Sequence, residues 1–198
     1  MKVPIGKEKK IIGITGSLAS GKTKVADIFV SLGAVKIDAD AIAHKLLRVD
    51  EDIKQEIVRV FGPSVAENGA ISRKALALVV FSDRKKLEDL CRITHPAIIR
   101  EIRSAVSRAE ADVVVVDAPL LFESGLDREV DIVVTVSASE RTCLKRAVAR
   151  GIPEDMARRI MESQMSSDRK ISMADHVIDN ENNVENTKEG VKRVWQKM

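Results

Sequence analysis

Eight consecutive residues, Gly16-Ser17-Leu18-Ala19-Ser20-Gly21-Lys22-Thr23, carry the densest chemistry in this 198-residue chain. They fit the pattern G-x-x-x-x-G-K-[ST]. Its inward-pointing backbone N–H groups, together with the positive end of the helix that follows, hold a polyphosphate. Lys22 is expected to reach the β- and γ-phosphates, and the Thr23 hydroxyl to ligate a Mg²⁺ ion carried by the same oxygens. The chemistry implied is that of a nucleotide.

Three carboxylates suit such a ligand. Asp38 and Asp40 end a predicted strand, and an i, i+2 spacing on extended chain puts both on one face, roughly 6.6 Å apart. One of them can take a proton from an attacking hydroxyl while the other keeps its pKa high, or either can support Mg²⁺ through water; helix capping is the structural alternative. Asp117 ends the run Val113-Val114-Val115-Val116 and is expected to be the acid that supports the metal. Arg146 and Arg150, at i, i+4, share a helix face and could neutralise transferring phosphoryl oxygens better than an ammonium can.

These side chains need elements to place them. Val25, Ile28, Phe29 and Leu32 recur at helical spacing just after the phosphate loop. Unbroken β-branched stretches at 11–15, 35–38, 113–117, 132–136 and 176–178 read as buried strands of a parallel sheet covered on both faces. The alternation of strand and helix predicts a three-layer, doubly wound α/β domain with five parallel strands and ligands beyond their carboxyl ends. Residues 10–40, 111–140 and 168–198 make the core. Residues 41–110 supply far more than a simple crossover and read as an inserted helical, acceptor-binding subdomain, with Asn68-Gly69 as a turn and Pro96 starting a new helix. Residues 141–167 form a helical lid, with a helix over 140–150 and another restarted by Pro153.

Composition excludes several classes. A chain of this length buries about 70% of its unfolded surface and needs no staple. With 33 basic against 30 acidic side chains, four Phe, one Trp and no Tyr, it lacks the charge and the stacking platforms of a nucleic-acid binder. Cys91 and Cys143 have no metal or redox spacing and read as reduced thiols of a cytoplasmic protein. Residues 1–10 form a basic solvated arm without the apolar core of a leader, and no apolar run approaches the roughly 18 residues of a membrane span.

Beyond the phosphate loop, the combination of Asp38-Ala39-Asp40, His95-Pro96, Pro119-Leu120-Leu121-Phe122-Glu123, Leu144-Lys145-Arg146 with Arg150, and Val177-Ile178-Asp179-Asn180 resembles the dephospho-coenzyme A kinases, P-loop kinases that close coenzyme A biosynthesis. The resemblance runs nearly the whole chain. It implies transfer of the ATP γ-phosphoryl group to the ribose 3′-hydroxyl of dephospho-coenzyme A, with Mg²⁺ as the metal. Asp40, or Asp38 beside it, would be the base, and Lys22, Arg146 and Arg150 would bear on the phosphates. Arg73, His95, Pro119, Leu120 and Glu123 would lie on the acceptor side, and Asn180 would meet adenine. One departure is the loop's middle, where Ser17, Leu18 and Ala19 replace a more glycine-rich stretch. Another kinase of this fold stays open as a reading. A GTP-dependent switch would need N-K-x-D and D-x-x-G segments that the chain does not carry at the corresponding strands.

Overall fold

In the computed structural model, which describes residues 9–81, 83–181 and 183–198, the β-branched runs form strands where their patterning predicts them. In chain order these are β1 (Lys10–Thr15), β2 (Val35–Asp38), the two-residue β3 (Ala66–Glu67) and β4 (Ala70–Ile71), β5 (Val113–Asp117), β6 (Ile132–Ser137) and β7 (His176–Asp179). All except the β3–β4 hairpin belong to one parallel sheet, ordered β2-β5-β1-β6-β7. The chain leaves β1 toward the far edge and later returns to its other side, which opens a crevice at the carboxyl end of β1. The register sets Ile14 beside Asp117 and Asp38 beside the same Asp117, so two of the three carboxylates reach that edge together.

The helices are α1 (Lys22–Ser31), α2 (Ala39–Val49), α3 (Glu51–Phe61), α4 (Arg73–Val80), α5 (Arg84–Arg108), α6 (Glu140–Ala149), α7 (Glu154–Ser163), α8 (Ser167–Met173) and α9 (Val184–Trp195). The period of two in β5 sends its valines to opposite faces. Val115 packs with Phe29 of α1 and Val191 of α9, whereas Val114 and Val116 pack with Ile102 of α5 and with Leu121 and Leu126. Both layers are therefore filled by one uninterrupted run.

A third cluster joins Leu46, Ile53, Ile57, Leu76, Leu87 and Ala97, from α2, α3, α4 and the first part of α5. The expected helical insertion differs from this in three respects. Asn68 and Gly69, both at positive φ, close a hairpin between β3 and β4, the signature of a two-residue turn. Pro96 does not start a helix but lies inside α5, which runs 25 residues without a break. An interior proline costs about 3 kcal/mol or more, because it withdraws one N–H and crowds the preceding turn. Here burial on both sides outweighs that cost, since Leu87 and Ala97 fill the helical cluster while Ile102 fills the sheet cluster. The same helix makes the division at residue 110 less sharp than its sequence suggests. The basic arm expected over residues 1–10 lies, apart from Lys9 and Lys10, outside the described residues.

Candidate active site

The phosphate-loop motif, residues 16–23, runs from the end of β1 into the first turn of α1. Two of its positions admit only glycine. A Cβ on Gly16 would stand 2.4 Å from the Val136 carbonyl oxygen, and one on Gly21 would stand 1.9 Å from Asn180 Nδ2, with both φ angles positive. Ala19 takes a φ of 57°; a side chain there costs roughly 1–2 kcal/mol, a strain that a more glycine-rich loop avoids. The cradle forms despite it.

Lys22 Nζ folds over the loop and donates to the Gly16 and Ser17 carbonyls, 3.1 Å from each. Its desolvation lowers the ammonium's pKa, against the pull of the Asp117 and Asp40 carboxylates. Thr23 Oγ1 donates to Asp117 Oδ2 at 3.1 Å. Asp117 is buried, which raises its pKa, while Lys22 and the Thr23 hydroxyl oppose the rise. A hydroxyl and a carboxylate side by side beneath the loop are hard oxygen donors that suit Mg²⁺.

The geometry expected for Asp38 and Asp40 needs correction. Asp38 ends β2 and caps α2, its Oδ1 accepting from the Ala41 N–H at 2.9 Å, and the chain turns helical at Ala39. Asp40 thus sits in the first helical turn, not two residues along a strand. The cause is the capping preference of aspartate at a strand-to-helix junction. Asp40 remains open to solvent through the cleft mouth, but the surrounding walls desolvate it and raise its pKa; Lys22 opposes this, Asp38 adds to it and Arg73 opposes it.

A cavity of about 630 Å³ brings these groups together. Lys22, Thr23 and Asp117 stand at its phosphate end, and Asp40, His44, Arg73, His95, Pro119 and Leu120 line the rest, with Arg150 at the side. An adjoining cavity of about 830 Å³ shares His95 and Leu120 with it and adds Glu123 and Arg169. The His44 and His95 pKa values are both lowered by burial, and burial pushes the Cys91 thiol up to about 11. Cys91 and Cys143 are both unpaired.

Two predicted site residues, Arg146 and Asn180, line neither cavity, and a third, Glu123, borders the adjoining one with its carboxylate turned to protein partners. The Arg146 guanidinium donates to the carbonyls of Asn180 at 2.8 Å, Glu181 at 2.9 Å and Ser20 at 3.4 Å. Asn180 is buried; its Nδ2 donates to the Ser20 carbonyl at 2.7 Å and its Oδ1 accepts from Thr187. With one bond at each end of that amide and the residue buried, the side chain supports the phosphate loop from within. Glu123 Oε1 accepts from the Met165 N–H and pairs with Lys170, beneath the turn it was expected to face the acceptor from.

Sequence reasoning missed His44, Gln164 and Lys170. His44 was findable, since it stands four residues after Asp40 on the same helix face. Gln164, whose Oε1 accepts from the Leu18 N–H, and Lys170 have no local signature. The α6–α7 pair meets the loop through Ala147 and Ala157 packed on Ala19. Glu181 fastens α6 by accepting from the Ser139 N–H and from the Ser139 and Thr142 hydroxyls, which holds its carboxyl at about 2.

Comparison with known proteins gives a consistent result. A sequence model described as dephospho-CoA kinase matches residues 10–186. A dephospho-CoA kinase of Syntrophotalea carbinolica is 44% identical over 186 residues, covering 91% of this chain and 88% of that protein. Among solved structures, TT1252 from Thermus thermophilus superposes with a TM-score of 0.81 at 33% identity, over 97% of this chain and 99% of its own. A dephospho-CoA kinase from Campylobacter jejuni gives 0.64 at 29% identity, over 96% of each chain.

Proposed function

Since the chain belongs to the dephospho-CoA kinase family and is thereby a kinase of coenzyme A biosynthesis, we propose that it moves the γ-phosphoryl group of ATP to the ribose 3′-hydroxyl of dephospho-coenzyme A, giving coenzyme A and ADP. The observation that carries this reading is the single cavity in which a phosphate loop with Lys22 at one end faces Asp40, Arg73 and His95 at the other.

The acceptor hydroxyl gives its proton to the Asp40 carboxylate, whose raised pKa makes it a better proton acceptor than an ordinary aspartate. The freed oxygen then bonds to the γ-phosphorus as the bond to the ADP oxygen breaks. Lys22 and Arg150 bear on the phosphoryl oxygens where charge collects, the loop N–H groups hold the β-phosphate, and Arg146 braces the loop from behind. Arg73, His95, Pro119 and Leu120 orient the acceptor. Thr23 and Asp117 would hold Mg²⁺, which when bound neutralises charge on the β- and γ-oxygens. Among the described residues no group of three or more His, Cys, Asp or Glu side chains gathers around a point, so phosphate oxygens and water complete such a site.

The two unpaired thiols fit a reducing compartment, and we assign the protein to the cytoplasm. No helix among the described residues is long and apolar enough to cross a membrane. The test is turnover with ATP and Mg²⁺, comparing dephospho-coenzyme A with adenosine, cytidylate and pantothenate. Phosphorylation of the first alone supports the assignment. Faster turnover of any of the others transfers the site to a different kinase.

A further inference from the structure

The Lys170 side chain is wholly buried in α8, and none of the chemistry above uses it. A buried ammonium persists only where its hydrogens find partners. Lys170 Nζ donates to the Pro119 carbonyl at 2.7 Å and pairs with Glu123 Oε1 at 3.0 Å. Both partners lie in the turn that follows Asp117. Pro119's carbonyl also accepts from Thr15 Oγ1, which ties the turn to β1.

The residues at the start of α8 and just before it reach the same turn and one further segment. Met165 donates its N–H to the same Glu123 carboxylate. Gln164 accepts from the Leu18 N–H, and Ser167 Oγ lies 2.7 Å from Ser17 Oγ, so the segment also grips the phosphate loop. The Thr135 hydroxyl donates to the Lys170 carbonyl and anchors α8 to β6. One buried cation therefore joins the acceptor turn to the piece of chain that holds the phosphate loop. Glu123 Oε2 is buried without a hydrogen-bond partner among the described residues; a core built for stability alone gains nothing by enclosing such a group.

We infer that Lys170 is a positioning residue: by holding the Pro119 carbonyl and the Glu123 carboxylate it keeps the acceptor turn at one distance from the phosphate loop. The inference rests on the acceptor-side reading of that turn. A small displacement of either reactant is expensive, since about 1 Å of misplacement can cost on the order of 100-fold in rate.

The test is the double variant Lys170→Met with Glu123→Gln. Lys170→Met alone would strand a buried carboxylate, whereas the pair removes both charges and leaves an amide oxygen to accept from Met165. The expected result is a folded protein whose kcat falls and whose KM for dephospho-coenzyme A rises, together lowering kcat/KM by about tenfold or more. KM for ATP should stay within about twofold. Amide exchange at Met165 and Leu18 should accelerate, a readout that needs no turnover. Wild-type kinetics, or equal losses for both substrates, would overturn the inference. If the double variant fails to fold, Glu123→Gln alone decides by the same measurements, with acceptor-selective loss upholding the brace and no loss refuting it. Should wild-type enzyme prove inert toward dephospho-coenzyme A, the functional reading falls, and unchanged exchange at Leu18 and Met165 in the variant separately removes the brace.

Discussion

Asp40 carries the proton in the proposed reaction, and its surroundings set the pH at which it can. Desolvation raises its pKa, while the cations Lys22 and Arg73 pull it back. A base acts only when deprotonated, so kcat falls as the pH drops through that raised value. Arg73→Ala removes one opposing cation, the pKa climbs further, and the acid limb of the kcat profile moves to higher pH. A limb that stays in place or moves down would dissociate Asp40 from the titration. Asp40→Asn should lower kcat by about 10²–10⁴-fold at every Mg²⁺ concentration, with nucleotide binding retained in a titration of the variant. Of the residues visible beforehand, Lys22 and Thr23 were legible together because one motif encodes backbone shape and ligand, whereas Asp117 was read separately, from its place at the end of a valine run, and only folding sets it against Thr23. Glu123 and Asn180 were legible as members of a pattern, but the direction each side chain takes depends on Lys170 and Ser20, which are remote in sequence.

At the scale of elements, two junctions invite measurement. Asp38 caps α2 and thereby aims the first helical turn, with Asp40 in it, into the cleft. Asp38→Ala should cost about 1 kcal/mol and lower Tm by roughly 2–4 °C, whereas Asp38→Asn, which still caps, should leave Tm nearly unchanged. If the asparagine variant also loses activity and excess Mg²⁺ restores it, Asp38 supports the ion as well. Arg146 and Arg150 share helical spacing yet meet different surroundings. Arg146 is spent on three carbonyls, and Arg150 borders the cavity. Arg146→Ala should therefore reduce both Tm and ATP affinity. Arg150→Ala should reduce kcat with Tm intact, and a loss confined to ATP affinity would make it a ground-state binding residue.

For the whole molecule, α5 is the member that makes two cores act as one. Its first part packs in the helical cluster with Ile57, and its later part packs on the sheet beneath Val114 and Val116. Ile57 is fully buried, so Ile57→Ala should cost about 2–5 kcal/mol through lost contact and a residual cavity. Because the helix spans both clusters, that loss should appear in calorimetry as one transition shifted to lower temperature. A split into two transitions would show that the subdomain melts independently of the sheet.

The features readable from the amino-acid order are those whose causes are local. Runs of β-branched residues and helical periodicity after a glycine-rich loop act within a few residues, so all five parallel strands and the α1 start were readable in advance. Asn68-Gly69 could have disclosed the hairpin by the same logic. The remainder depends on contacts made across the folded chain. Folding let packing on two faces carry Pro96 through the middle of α5. It set the strand order β2-β5-β1-β6-β7, which brings Asp38 and Asp117 together. It also turned Asn180, Arg146 and Glu123 into supports for the loop and the turn. The physical reason is distance along the chain: the hydrogen bond from Asn180 to Ser20 spans 160 residues, and no local pattern reports a partner that only folding supplies.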